Sequence, residues 1–243
     1  GQMLIRDRDM LICRSEELLA DAERKKIALF TNVEERAVIS AIDVDDLYKI
    51  PLMLKEQGLD TIVVDKLGLK VEPADLSAWK LVVNTRANPE AEVNVAMVGK
   101  YMDLKDSYIS LTEALLHAGI QTRTRVNIQY FDSEELETKG VEILSGMDAI
   151  LVPGGFGERG AEGKIAAAKF AREQHIPYLG LCLGMHVACI DFARHILKLK
   201  NAHSSEFNSK TPHPVIDILE HQKKIHKKGG TMRLGSYPCT VSY

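Results

Sequence analysis

The pentapeptide Gly180-Leu181-Cys182-Leu183-Gly184 places a cysteine where an apolar run stops and a helical pattern begins, with a glycine two residues away on each side. That is the pattern of a nucleophile elbow, a strained strand-to-helix turn where larger flanking residues would collide with backbone or block a substrate. The helix start also serves the sulfur. Unpaired N–H groups and the helix dipole favour the thiolate, the form that attacks carbonyl carbon. A glycine-rich stretch, Pro153-Gly154-Gly155-Phe156-Gly157, ends the preceding apolar run Ala149-Ile150-Leu151-Val152. If the two runs are adjacent strands of a parallel sheet, their carboxyl ends share one rim. The loop N–H groups and that of Leu183 can then face an oxyanion beside the sulfur. Cys13, Cys189 and Cys239 read as buried structural thiols; the four cysteines form no C-x-x-C pair, so neither a zinc site nor a disulfide framework is expected, and no residue is assigned to a metal.

The elements that must position these residues follow from periodicity. Short apolar runs alternate with helical patterns, which predicts an α/β fold with a mainly parallel sheet and helices on its faces. In the first third, strands are expected at 10–13, 27–30 and 37–40. A helix opens near Asp43, with Val44, Leu47, Ile50 and Leu54 on one face and a break at Pro51. A second amphipathic helix is expected over 73–88, around the single tryptophan, Trp79. Arg86-Ala87-Asn88-Pro89-Glu90 reads as a boundary. After it, strands at 93–98, 125–131, 149–152 and 177–181 alternate with helices at 107–117, 163–174 and 184–197, a doubly wound unit begun afresh.

At 243 residues the chain is long enough for one large domain or two small ones. A hydrophobic fraction of 45%, a charged fraction of 27% and a net charge of −3 fit an ordinary globular protein. That balance lacks the electrostatic footprint of a chain whose main partner is nucleic acid or an anionic membrane. There is no run of eighteen apolar residues, and Gly1 to Arg8 lacks the apolar core of a signal peptide, so a cytoplasmic location is expected. The run His221-Gln222-Lys223-Lys224-Ile225-His226-Lys227-Lys228 reads as a solvated loop, with phosphate binding as the alternative.

Gly-Leu-Cys-Leu-Gly-Met after Pro-Gly-Gly-Phe-Gly resembles the class I glutamine amidotransferases and, more closely, the CTP synthase family. The resemblance extends to Met97-Val98-Gly99-Lys100-Tyr101, Asp106-Ser107-Tyr108, Asp191-Phe192-Ala193-Arg194, Ser205-Glu206-Phe207 and Gly229-Gly230-Thr231-Met232-Arg233-Leu234-Gly235. Before the boundary, Leu11-Ile12-Cys13-Arg14-Ser15, Lys26-Ile27-Ala28-Leu29-Phe30 and Asp43-Val44-Asp45-Asp46-Leu47-Tyr48-Lys49-Ile50-Pro51 resemble the end of that family's synthetase domain. The resemblance implies a flavodoxin-like glutaminase sheet over 91–243, lacking its C-terminal part. Before it, 1–90 would be the C-terminal part of a P-loop-type α/β amidoligase domain with its linker.

It further implies ATP-dependent amination of UTP to CTP, a step of pyrimidine biosynthesis, with ammonia from glutamine hydrolysis. ATP and Mg²⁺ would serve the synthetase, GTP would activate the glutaminase, and the complete enzyme would be a homotetramer. By position, Cys182 is the implied nucleophile, and Gly154, Gly155, Phe156, Leu183, His186 and Glu206 surround the glutamine and its oxyanion. Arg14 and Lys26 would face the pyrimidine nucleotide, and Ile42, Asp43 and Val44 the ATP.

The sequence also departs from the family pattern. It contains no G-x-x-x-x-G-K-[ST] loop, so the residues present are not expected to make CTP by themselves. No His-Pro-Glu motif supplies the base and its acid partner, and His203, His213, His221 and His226 are not expected to substitute. His186 stands where the family has glutamine, one helical turn beyond Cys182, and is expected to keep a hydrogen bond to substrate. Gly1 to Asp9 and the short connection between Leu219 and Gly229 are expected to be junctions between pieces of a longer chain. Arg159 and Glu162 read as an exposed helix-start ion pair or a GTP contact. Two other readings stand beside this one: a glutaminase serving another acceptor, and a catalytically silent regulatory or assembly module of the same fold.

Overall fold

The computed structural model describes residues 8–100, 108–155 and 157–217. Two compact units meet at Glu90 and Ala91.

In the first unit β1 (Leu11–Ser15) pairs in parallel with β2 (Val38–Ile42), and α1 (Asp21–Thr31) connects them. Beyond β2 come α2 (Ile50–Glu56), α3 (Leu59–Leu67) and α4 (Ser77–Ala87). The core gathers Ala28, Val33, Ala37, Val38, Ile39 and Ile62. The strand expected at 27–30 is instead the second half of α1. Behind Asp21 in the first turn, Ala22-Glu23-Arg24-Lys25-Lys26 are good helix formers, and the Glu23 carboxylate accepts the Ala20 N–H at 3.1 Å, which fixes the helix start. The apolar tetrapeptide is carried into the helix, where Ala28 is buried while Leu29 and Phe30 are 80% and 77% exposed. Pro51 does not break a helix. It occupies the first turn of α2, where its missing N–H costs nothing.

The second unit is built on a sheet ordered β4-β3-β5-β6, from β3 (Ala91–Gly99), β4 (Thr124–Asp132), β5 (Ala149–Val152) and β6 (Tyr178–Gly180), with every pairing parallel. Counted within the unit this is the order 2-1-3-4 of flavodoxin-like sheets. Side chains alternate across it. Ala96, Val98, Ile150 and Val152 enter one core with Leu136 of α6 (Ser133–Lys139), Ile165, Ala167 and Ala171 of α7 (Ala161–Glu173), and Leu183, Val187 and Ile190 of α8 (Leu183–His195). Val95, Met97 and Leu151 point the other way and pack with Leu111 and Leu115 of α5 (Ile109–Thr122). Helices therefore cover both faces, as the alternation of runs predicts. A parallel pair, β7 (His203–Ser204) and β8 (Pro214–Ile216), follows α8.

Helices α7 and α8 are tied by a buried carboxylate. Asp191 accepts hydrogen bonds from Arg172 Nε at 2.8 Å and Nη2 at 3.2 Å, and its Oδ1 lies 2.7 Å from His195 Nδ1. Its side chain is only 3% exposed, so this charge depends on those partners. Asp191→Asn keeps the shape but removes the charge that Arg172 faces. It is expected to cost about 1–3 kcal/mol in urea unfolding, the range for a charge-assisted buried hydrogen bond; an unchanged midpoint would show that water already compensates Arg172.

Candidate active site

The elbow forms because two backbones approach too closely for any side chain. Leu181 N–H donates to the Val152 carbonyl at 3.0 Å, extending the β5–β6 register one residue past Gly180. The chain then reverses at Cys182, whose φ of 52° and ψ of −106° lie where L-residues are strained, and enters α8. A Cβ on Gly180 would stand 2.5 Å from the Gly184 carbonyl carbon and oxygen and 2.7 Å from Met185 N. One on Gly184 would overlap the Val152 carbonyl oxygen and lie 2.9 Å from its carbon. All these neighbours are main chain, so neither glycine is replaceable without displacing β5, β6 or α8.

The turn is closed by hydrogen bonds. Gly184 N–H reaches the Leu181 carbonyl at 2.9 Å, and Met185 and His186 N–H reach the Cys182 carbonyl at 3.0 and 3.1 Å. Tyr178 Oη donates to the Gly184 carbonyl at 2.8 Å from beneath, and burial raises its phenol pKa. Cys182 itself is exposed. It stands at the N-terminal end of a thirteen-residue helix, the positive end of the peptide dipoles.

The glycine loop lies beside it. The position of a Gly154 Cβ is 3.5 Å from Cys182 Cβ, and that of a Gly155 Cβ is 3.5 Å from Leu183 Cδ2. Leu183 is 2% exposed, its side chain held in the core, while its N–H, at the first helical position, has no carbonyl of the helix to reach. Cys182, Gly154, Gly155 and Leu183 thus converge on the rim, with His186 one turn along α8, its N–H on the Cys182 carbonyl. Their arrangement suits a sulfur nucleophile attacking an unhindered carbonyl, with main-chain donors near the oxygen that gains charge.

Other expected residues fall elsewhere. Phe156 and the basic run 221–228 lie outside the described residues. Glu206 is exposed in the turn after β7, and its side chain makes no hydrogen bond or ion pair among the described residues. Arg159 and Glu162 are not an ion pair with each other: Arg159 Nε meets Glu134 Oε1 at 2.6 Å, and Glu162 accepts both Nη atoms of Arg194 at 2.7 and 3.0 Å. His203 Nε2 lies 3.4 Å from Glu162 Oε1. Cys189, expected to be buried, is exposed, because it faces outward on α8 opposite the core residues Val187 and Ile190.

In the first unit, Arg14, Ile42, Asp43 and Val44 gather at the carboxyl ends of β1 and β2, where Arg14 Nη2 lies 3.4 Å from Asp43 Oδ1 with both side chains largely exposed. Lys26 is exposed midway along α1 and forms no ion pair among the described residues. The strand ends offer an arginine, an acid and main-chain groups. They provide neither a glycine-rich phosphate cradle nor, among the described residues, three carboxylate, histidine or cysteine groups close enough to hold a metal.

Known proteins resemble the chain over both units. The family model "Glutamine amidotransferase class-I" matches residues 103–243, and "CTP synthase N-terminus" matches residues 4–69. Among solved structures, the glutaminase domain of Trypanosoma brucei CTPS with bound acivicin is 43% identical, with a TM-score of 0.51 over 54% of this chain and 51% of that one. The chain therefore spans about half the length of the solved structure it matches.

Proposed function

The chain belongs to the glutamine amidotransferase class-I family, and we propose that its second unit cleaves the side-chain amide of glutamine at Cys182. The observation that carries this reading is the backbone of Cys182 itself, held at φ 52° between two glycines that have no room for a side chain. A protein maintains such strain where the chemistry needs it.

The Cys182 thiolate attacks the γ-carboxamide carbon, and the carbonyl oxygen takes up charge facing the N–H groups of Leu183 and the Gly154–Gly155 loop. The carbon–nitrogen bond then breaks as the nitrogen takes up, through water, the proton the thiol gave up on ionising; ammonia leaves and a γ-glutamyl thioester remains on the sulfur. Water attacks the thioester to give glutamate and regenerate the thiol. His186, one turn along α8, and Glu206 engage the polar groups of the amino acid. Loss of one oxyanion donor would cost about 10²- to 10³-fold in rate.

In the complete protein this ammonia would aminate UTP to CTP in a reaction driven by ATP and Mg²⁺ and activated by GTP, within a tetramer. The motif resemblance and the family match over residues 4–69 support that extension. Arg14, Lys26, Ile42, Asp43 and Val44 would contact the nucleotides. The described residues do not fit the phosphates or the metal.

Covalent capture tests the reading without requiring complete turnover. Acivicin is expected to modify the protein once, on the peptide bearing Cys182, and excess glutamine is expected to slow the modification. A folded protein that acivicin leaves unmodified while iodoacetamide still alkylates Cys182 would favour the silent-module reading.

A further inference from the structure

Beside the elbow helix a chain of polar contacts joins three elements and ends at the turn that carries Glu206. Arg194, near the end of α8, donates from Nε to the Ala202 carbonyl at 2.7 Å and grips Glu162 of α7 with both Nη atoms. Glu162 Oε1 in turn faces His203 Nε2 at 3.4 Å. On the far side of the imidazole, Nδ1 accepts the N–H of Ser204 at 2.9 Å. The ring is therefore neutral, with its proton on Nε2 and its lone pair on Nδ1.

Ser204, only 2% exposed, organises the turn that follows. Its carbonyl accepts the N–H groups of Phe207 and Asn208 at 3.2 and 2.9 Å, and its Oγ accepts the N–H of Glu206 at 3.2 Å. His203 also meets Phe207 edge to face, with ring centroids 5.7 Å apart. The ring is nearly buried, yet a polar cavity of about 610 Å³ lined by Glu158, Glu162, Arg194, His203 and Lys210 gives a proton access to it.

We propose that His203 is a positioning residue for Glu206, and that its protonation releases the Ser204 peptide and loosens the glutamine-binding turn. A proton added to Nδ1 points at the Ser204 N–H, so donor meets donor and the peptide must rotate. The turn closed on the Ser204 carbonyl and Oγ rotates with it. The role of Glu206 toward glutamine rests on the function proposed above; the coupling between His203 and the turn does not.

The charged groups around the ring set the pH range. Burial and then the Arg194 charge hold the His203 pKa below the ordinary histidine value of 6.5, while Glu162 of α7 and Glu158 of the preceding loop oppose them. Lys210, across the cavity, and Glu206, in the turn itself, complete the set, while the element on the β8 side contributes the His213 carbonyl, which accepts the His203 N–H at 3.1 Å. Burial raises the Glu162 pKa, but the hydrogen bonds and charge of Arg194 outweigh it, so Glu162 remains ionised in this range. His203 is the group that changes.

The test follows peptide-resolved labelling of Cys182 by acivicin, divided at each pH by its labelling with iodoacetamide, which removes the thiolate's own pH dependence. The ratio is expected to be flat above about pH 6.5 and to fall about two- to ten-fold once His203 is protonated below it, since burial and Arg194 depress its pKa. His203→Asn, whose amide oxygen can still accept the Ser204 N–H, is expected to keep the high-pH ratio and lose the fall; His203→Ala lowers the ratio at every pH.

In parallel, the Glu206 backbone amide resonance is expected to titrate with the His203 ring signal in the full chain. An Asn variant with the parental pH profile, or a Glu206 amide that stays put while His203 titrates, overturns the proposal. If acivicin never reacts but the Glu206 amide follows His203, the glutaminase reading fails and the coupling stands.

Discussion

Exchange of Cys182 for glycine is expected to make the protein more stable while abolishing its chemistry. At φ 52° and ψ −106° the cysteine carries backbone strain of about 1–3 kcal/mol. Glycine removes that strain at an entropic cost of roughly 0.5–1 kcal/mol in the unfolded chain. The net gain is about 1 kcal/mol, or 2–4 °C in thermal midpoint for a chain of this size. Cys182→Ala keeps the Cβ, and with it the strain, so its midpoint should match the parent's.

Both variants lose the sulfur. Acivicin labelling should vanish, and any glutaminase rate should fall about 10⁴- to 10⁶-fold, the loss seen when a covalent nucleophile is removed while oxyanion donors remain. Calorimetry on the pair isolates the strain from the chemistry. If glycine and alanine melt together, the elbow is not strained, and the main argument for Cys182 as nucleophile is lost.

A methyl group at Gly184 should do the opposite and damage the fold and the site together. The new Cβ would overlap the Val152 carbonyl oxygen and approach the Val152 Cβ at 3.1 Å, at a point where β5 also accepts the Leu181 N–H. Main chain on both sides leaves no flexible side chain to move. Helix α8 must lift from the sheet, separating Val187 and Ile190 from the core they share with Ile150 and Val152. Overpacking of this kind costs about 3 kcal/mol or more. Gly184→Ala is therefore expected to unfold at distinctly lower urea and to lose acivicin labelling, because Cys182 and the Gly154–Gly155 loop no longer face each other. Gly146→Ala is the control: its φ of 83° brings strain, but no atom lies within 4 Å of its would-be Cβ, so labelling should persist. A Gly184→Ala protein with parental stability would show that α8 does not need to sit this close.

How far each feature could be read in advance depends on the range of the forces that set it. The second unit was legible because its strands are apolar runs that can be buried on both faces, and its helices repeat apolar residues at helical spacing. Those patterns are local, and they placed β5 at 149–152 without error. In the first unit Ile27-Ala28-Leu29-Phe30 was ambiguous, because four apolar residues satisfy a strand or a helix equally. The capping of α1 by Glu23 and the burial of Ala28 alone decided for helix. Pro51 carried a similar ambiguity between stopping one helix and starting another.

The elbow cysteine and its glycines follow from the sequence itself, since strain at one residue demands particular types two positions away. The fold supplied what that spacing cannot express: the Val152 carbonyl against Gly184, the exposure of Cys189, and the partners of Arg159, Glu162 and His203. Glu162, Arg194 and His203 lie 32 and 9 residues apart and share no motif. Their charges meet only because α7 and α8 are packed on one face of the same sheet and β7 returns beside them; long-range electrostatics depends on distance in space, which the packed tertiary structure alone decides.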